Sequence, residues 1–221
     1  MCIKNWWGVD DFYQEENCPK NKFNNTLKAS AKCRFIASDR LKRLSFVTSH
    51  TTTVLSLVMV LLSLLQVGGV EFKYTMELFT AIQIFLTICI LVYSVISTQA
   101  KYSVRAEKLN VCGNKILQLQ RTLEEKIRNN EDIELSKYRE LYDEIEVDSE
   151  NHAMSDFYFA KLRLNKVYKI TGLRRYVLRT NATFRAALAY FDMLILYGLV
   201  FCIVSELLTG SAPIEILGSI S

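Results

Sequence analysis

The chain's two histidines, His50 and His152, are the first residues to test for chemistry. His50 lies in an apolar stretch and His152 in the polar segment "SENHAMSD", so they belong at different depths of the fold. Neither falls with a serine and an acid in an arrangement that would build a nucleophile. His152 reads as a turn or helix-capping group. The six cysteines contain no C-x-x-C pair and have no histidine at zinc spacing. They read as unpaired thiols. There is no phosphate loop, no G-x-G-x-x-G, no H-E-x-x-H and no G-x-S-x-G. The sequence therefore predicts no enzyme and no cofactor.

Hydroxyls are the remaining polar groups with a pattern. Ser49, Ser56 and Ser63 recur every seven residues, and so do Thr80, Thr87 and Ser94. Seven residues is nearly two helical turns, so each set forms a narrow stripe. Such a stripe either lets membrane helices approach and bond, or faces water in a path built by several copies. The first set is the expected water path. His50 and Thr51 to Thr53 supply polar groups at its mouth, and Gln66 lies one turn beyond Ser63. Thr80, Thr87 and Ser94 are then expected to pack against the first helix.

These stripes need long apolar elements to carry them, and the sequence has two. From Phe46 to Gln66 and from Leu78 to Ala100 there is no Asp, Glu, Lys or Arg. At about 1.5 Å per residue each run is roughly 30 Å long, the thickness of a bilayer's hydrocarbon. The first begins too late for a signal peptide. The short connection with Gly68-Gly69 makes them antiparallel neighbours. A third apolar run, 186–209, carries Asp192 and Glu206 and reads as a third span or as a helix packed on the hairpin's inner end.

Lys and Arg cluster before the first span, at Lys28, Lys32, Arg34, Arg40, Lys42 and Arg43, and after the second, at Lys101, Arg105 and Lys108. This asymmetry places both ends of the hairpin in the cytoplasm and Gly68-Gly69 outside, and the basic run from Lys161 to Arg185, with no Lys or Arg beyond Leu208, favours a third span with the C-terminus outside. Sequons at Asn24 and Asn181 then fall on the inner side and read as chance matches. The formal net charge of +4 follows from this topology, so no direct nucleic-acid binding is expected.

The expected fold is all-α. A polar leader, 1–25, holds Trp6-Trp7. A basic juxtamembrane helix, 26–45, follows, then the transmembrane hairpin, 46–100. A cytoplasmic helical region spans 101–185, then the third apolar run and a tail, 210–221. In the cytoplasmic region the helix should continue out of the second span. Leu109, Cys112, Ile116, Leu119 and Leu123 alternate steps of three and four, a heptad seam that would pack on the chain's own helices or join copies in an oligomer. Gly113 weakens its middle and Asn129-Asn130 ends it. A second helix carries Tyr138, Leu141, Tyr142 and Ile145 on one face. A third is capped by Ser155 or Asp156. No strand pattern is convincing. From Lys161 to Arg185 there are eight basic residues and no acid. Arg174, Arg175 and Arg179 would meet anionic lipid or grip a phosphate-bearing signal.

The basic helix "SAKCRFIASDRLKRLSF", the tight hairpin, the broken coiled coil "YSVRAEKLNVCGNKILQLQRTL" and then "ENHAMSDF" resemble the SLATT family of two-span bacterial membrane effectors, most of all its reverse-transcriptase-associated branch. The resemblance covers roughly residues 26 to 200. It implies an anti-phage effector in the bacterial inner membrane. A partner such as a reverse transcriptase or a nucleotidyltransferase would trigger it, and it would then oligomerise or open and permeabilise the bilayer. The alternative is a non-conducting anchor that recruits a soluble partner through its cytoplasmic helices.

Overall fold

Pro19 opens the first helix, where a missing N–H costs nothing. With no glycine or further proline until Gly68, the helix runs unbroken as α1, Pro19–Val67. The computed structural model describes residues 10–12, 18–69, 75–147, 150, 153–165 and 167–209, without the side chains of 10–12, 192, 203 and 206–209. The Trp6-Trp7 leader, His152 and the tail 210–221 lie outside the described residues. The other elements are α2 (Met76–Gln99), α3 (Tyr102–Arg128), α4 (Leu135–Val147), α5 (Met154–Arg163), α6 (Gly172–Ala187), a 3₁₀ turn (Leu188–Tyr190) and α7 (Phe191–Thr209). The fold is all-α apart from a small antiparallel ribbon. Strand β1 (Asp10–Phe12) pairs with β2 (Tyr168–Ile170), Asp11 opposite Lys169. This ribbon corrects the strand-free expectation. Strands of three residues are too short for alternation to register.

The chain divides into two units, Met1–Leu44 with Tyr102–Ala189, and Ser45–Lys101 with Tyr190–Ser221. The second is the hairpin unit. Two helices are long and apolar enough to cross a membrane, Pro19–Val67 and the run Met76–Arg128, and a third candidate arises only if the bent pair built from α6 and α7 counts as one span. Leu55, Met59 and Leu62 of α1 pack against Phe79, Leu86 and Ile90 of α2. Val200 of α7 is buried in the same cluster, with Leu196, Tyr197 and Val204 beside it. Leu57, Leu61, Leu64, Phe85, Ile88 and Val92 point outward and are exposed, as a surface solvated by lipid tails would be. The hairpin turn tightens at Gly68, whose N–H bonds Leu64's carbonyl, and Gly69 takes a positive φ of 74°.

The expected helix through Ala100 does not run straight on. Lys101 adopts a left-handed φ of 47° between α2 and α3. At the far end of α3, Asn130 is left-handed too, with a φ of 54°. Glu131 N–H bonds Lys126's carbonyl and Asn130 N–H bonds Ile127's, so the stop expected at Asn129-Asn130 is a Schellman cap.

In the helical unit the first half of α1 is the central element. Leu27, Ala29, Ala31, Cys33, Ile36, Ala37, Leu41 and Leu44 are all buried. Small residues let neighbouring helices come close: Ser38 Oγ donates to the Ala106 carbonyl of α3 at 2.7 Å. Gly113 of α3 makes room for the Phe35 ring, which an added Cβ would meet at 3.0 Å. Its role is close approach, which explains a glycine in mid-helix. The N-cap of α5 is Ala153, not Ser155 or Asp156. Asp156 sits at the third helical position and its Oδ2 accepts the Ala153 N–H at 3.1 Å.

Candidate functional site

The two hydroxyl stripes meet on one flank of the hairpin. Ser63 Oγ donates to the Met59 carbonyl and accepts from Gln83 Nε2 across the helix pair. Gln66 Nε2 donates to Thr80 Oγ1 at 3.2 Å and lies 3.1 Å from Met76 Sδ. The sequence assigned Ser63 and Gln66 to a water path and Thr80 to helix packing. In the structure they form one polar clamp beside the Gly68-Gly69 turn. The physical reason is drift. An α-helix falls behind a seven-residue repeat by roughly 20° per heptad. Ser49 therefore stands farthest from the seam, Ser56 nearer, and Ser63 reaches it. Gln83, which no stripe predicted, supplies the cross-helix amide.

The remaining stripe residues behave differently. Thr87 is exposed, and its hydroxyl donates to the Gln83 carbonyl at 2.8 Å, so it does not pack against α1. Thr80 likewise donates to Met76's carbonyl at 2.8 Å. Ser94 is half-buried. Ser49 and Ser56 are exposed, and their hydroxyls make no hydrogen bond among the described residues. His50 lies about one quarter to one third of a turn away from this flank, by the roughly 100° step of a helix. It is exposed and stacks on Phe46, with ring centroids 5.9 Å apart. Thr51 is fully buried, and its hydroxyl has no partner among the described residues.

In the helical unit the heptad seam is already occupied. Ile116 and Leu123 are fully buried against Leu27, Ala31, Ile133 and Tyr138, and Leu119 packs at the edge of the same cluster. Leu109 is buried as well. Here the seam meets α1 and α4 of its own chain. A heptad pattern reports an apolar stripe without naming the partner.

The basic juxtamembrane helix is also put to a use its composition hid. Arg34 is only 2 % exposed. Its Nη2 donates to Glu146 Oε1 at 2.7 Å and its Nε to Cys112 Sγ at 3.1 Å. Tyr142 donates to the same Glu146 oxygen at 2.6 Å and is 2.9 Å from Ser30 Oγ. Burial, then the Glu146 hydrogen bond, pushes the Tyr142 phenol up to about 12. Asn24, the first sequon, is buried and accepts from Gln120 at 3.1 Å. Cys33 is buried against Ile36 and Ala160. Burial first, and Asp156's charge next, push its thiol up to about 12 against the pull of Arg34. Such a thiol is protonated and inert.

An open groove runs between α3 and α4. One part, about 530 Å³, is lined by Val104, Lys108, Val111, Cys112 and Lys115. The next, about 470 Å³, shares Lys115 and Ile145 and adds Lys126, Lys137 and Leu141. Arg174, Arg175 and Arg179 are not part of it. All three are exposed on α6.

No curated protein and no solved structure matches the chain. One family model does, over residues 16–207, which takes in both units: SLATT family 5, described as a SMODS and SLOG-associating 2TM effector domain. With that match and two apolar helices able to cross a bilayer, the chain belongs to the SMODS and SLOG-associating 2TM effector domain family 5 and is a membrane protein.

Proposed function

We propose that this chain is a defence effector of the bacterial inner membrane, whose copies assemble through the polar flank of the hairpin and open a water path. Ser56 carries the reading. It lies in mid-span, exposed, on an otherwise lipid-compatible surface. Ser63, Thr80 and Thr87 quiet their hydroxyls on a carbonyl one turn back, and Ser56 does not. A hydroxyl left unbonded in hydrocarbon costs about 1–3 kcal/mol. Water or a neighbouring copy would satisfy it. Ser49 shares this position toward the inner end, and Ser63, Gln66, Thr80 and Gln83 form the outer end. The orientation follows the Lys and Arg asymmetry, with both hairpin ends inside. The trigger is a partner or nucleotide signal, from an associated nucleotidyltransferase or reverse transcriptase.

Overexpression in bacterial cells populates the assembled state by mass action, and a potential-sensitive dye reads the result. The native chain should depolarise the cells. Ser56→Leu should insert and oligomerise equally and leave the potential intact, because an apolar constriction dries a narrow path. The groove between α3 and α4 favours a second reading, an anchor that recruits a soluble partner and conducts nothing. An inserted, oligomeric native chain that leaves the potential unchanged would establish that reading in place of the first.

A further inference from the structure

Helix α6 has its surface the wrong way round for a helix facing water. Its inner face is packed: Ala182 is fully buried and Leu178 joins the cluster of Ala29, Val167, Tyr168 and Ile170. The opposite face of such a helix should be polar. Here it carries Tyr176 and Phe184, each 66 % exposed, with Val177, and the turn that follows adds Leu188. At roughly 100° per residue these side chains share one broad stripe. Arg174 and Arg185 border it on one side and Arg179 on the other, while Arg175 lies toward the packed face, and all four are exposed. The guanidinium groups of Arg175 and Arg179 make no ion pair or hydrogen bond among the described residues. Between Asp156 and Asp192 the sequence has no acid at all.

We infer that α6 lies in the headgroup region of an anionic bilayer, with Tyr176, Val177, Phe184 and Leu188 dipped among the acyl chains and the arginines on lipid phosphates. Three observations select lipid as the occupant. The exposed face is apolar with a cationic border on both sides, the layout of an interfacial helix. The charge is of one sign and complements phosphate, and long arginine stems reach upward past a buried apolar stripe. And only the three residues of the 3₁₀ turn separate α6 from α7, an apolar helix that packs in the hairpin cluster, so the bilayer is within reach of the chain. This arrangement would couple the helical unit to lipid directly, whether or not the hairpin conducts.

The test uses the full chain with Trp6→Phe and Trp7→Phe, reconstituted in phosphatidylcholine vesicles with and without phosphatidylglycerol. Phe184→Trp places the only indole on the exposed stripe, and Tyr176→Trp is a second probe should the first perturb folding. With phosphatidylglycerol present, either indole should emit to the blue and be quenched by brominated acyl chains. Arg179→Gln with Arg185→Gln should weaken the lipid-contacting population by about fivefold per arginine. Emission that stays accessible to aqueous iodide overturns the inference. Blue emission without brominated-lipid quenching also overturns it, and assigns the face to a second copy or another protein. Quenching indifferent to the arginines removes the anionic-lipid part. Loss of quenching on adding inorganic phosphate or ATP would give the arginines to a soluble phosphate ligand instead.

Discussion

Arg40 grips the buried carboxylate of Asp156 with two parallel hydrogen bonds, Nε to Oδ1 at 2.9 Å and Nη2 to Oδ2 at 3.0 Å. The Asp156 side chain is 1 % exposed and that of Arg40 21 %. Removing one partner of such a pair strands a charge, at a cost of about 3–5 kcal/mol. Arg40→Ala should therefore lower the unfolding midpoint of the helical unit sharply in detergent-solubilised full chain. Replacing both residues with apolar ones of similar size, Arg40→Met with Asp156→Leu, should recover much of the loss, less the Ala153 bond that Asp156 also accepts. A double variant no better than the single one would show that the loss was lost packing and not a stranded charge.

Alkaline pH should loosen the same unit in two steps. The Cys33 thiol ordinarily titrates near 9.0 and in the fold near 12, so the folded state keeps a proton that the unfolded chain gives up. Stability is then full below about pH 9 and falls as pH rises, by roughly 1.4 kcal/mol per pH unit. Tyr142, raised from 10.0 to about 12, adds a second slope of the same sign above pH 10. At the acid end Glu124 acts in the opposite sense. The Gln120 hydrogen bond first, and Lys28 after it, hold its carboxyl below the usual value, so its contribution is lost as pH falls. Unfolding midpoints measured from pH 8 to 11 should show the first slope disappear in Cys33→Ala. An unchanged profile would exclude Cys33 as its source.

Gly113→Ala should destabilise the helical unit. A helix interior gains up to about 1 kcal/mol from alanine over glycine. Against that, the new Cβ would stand 3.0 Å from the Phe35 ring, and overpacking costs about 1–3 kcal/mol. Phe35→Leu in the same chain should restore the lost stability. A stabilising Gly113→Ala on its own would mean the ring gives way freely.

The spans, the Asn129-Asn130 stop and the apolar faces of α3 and α4 were legible because length, hydropathy and period are local properties. What pairs with what was not. Leu109, Ile116, Leu119 and Leu123 gave an apolar stripe and left its partner open, since a heptad cannot distinguish its own chain from a second copy. Lys and Arg before the first span gave one explanation, membrane topology, and that masked Arg34, which is buried, and Arg40, which holds a buried carboxylate, as ion-pair residues. A finer signal was present: Ala29, Ala31, Cys33, Ala37 and Ser38 make that helix too small-sided to be merely a solvated one. The ribbon joining residues 10–12 to 168–170 had no signal at all, because it spans most of the chain with three residues on each side. At the candidate site, the stripes were visible as periods of seven, but their helical drift toward the seam needed geometry.

That drift leads to the most discriminating measurement on the hairpin. Ser63 sits where the stripe meets the seam and accepts the Gln83 amide, while Ser49, two heptads earlier, stands clear of it. Interhelical hydrogen bonds in membranes average about 0.6 kcal/mol and reach about 1.7. A double-mutant cycle with Ser63→Ala and Gln83→Leu, followed by unfolding in mild detergent, should therefore return a coupling energy in that range. The same cycle with Ser49→Ala and Gln83→Leu should return none. Conduction gives an independent reading of the same residues. If the flank is the outer mouth of the path, Gln83→Leu both loosens the hairpin and lowers ion flux, whereas Ser56→Leu lowers flux and leaves hairpin stability alone. Coupling at Ser49 equal to that at Ser63 would sink the drift argument, because it would put both serines at one distance from the seam. Loss of hairpin stability in Ser56→Leu would make Ser56 a packing residue and remove the observation on which the water path rests.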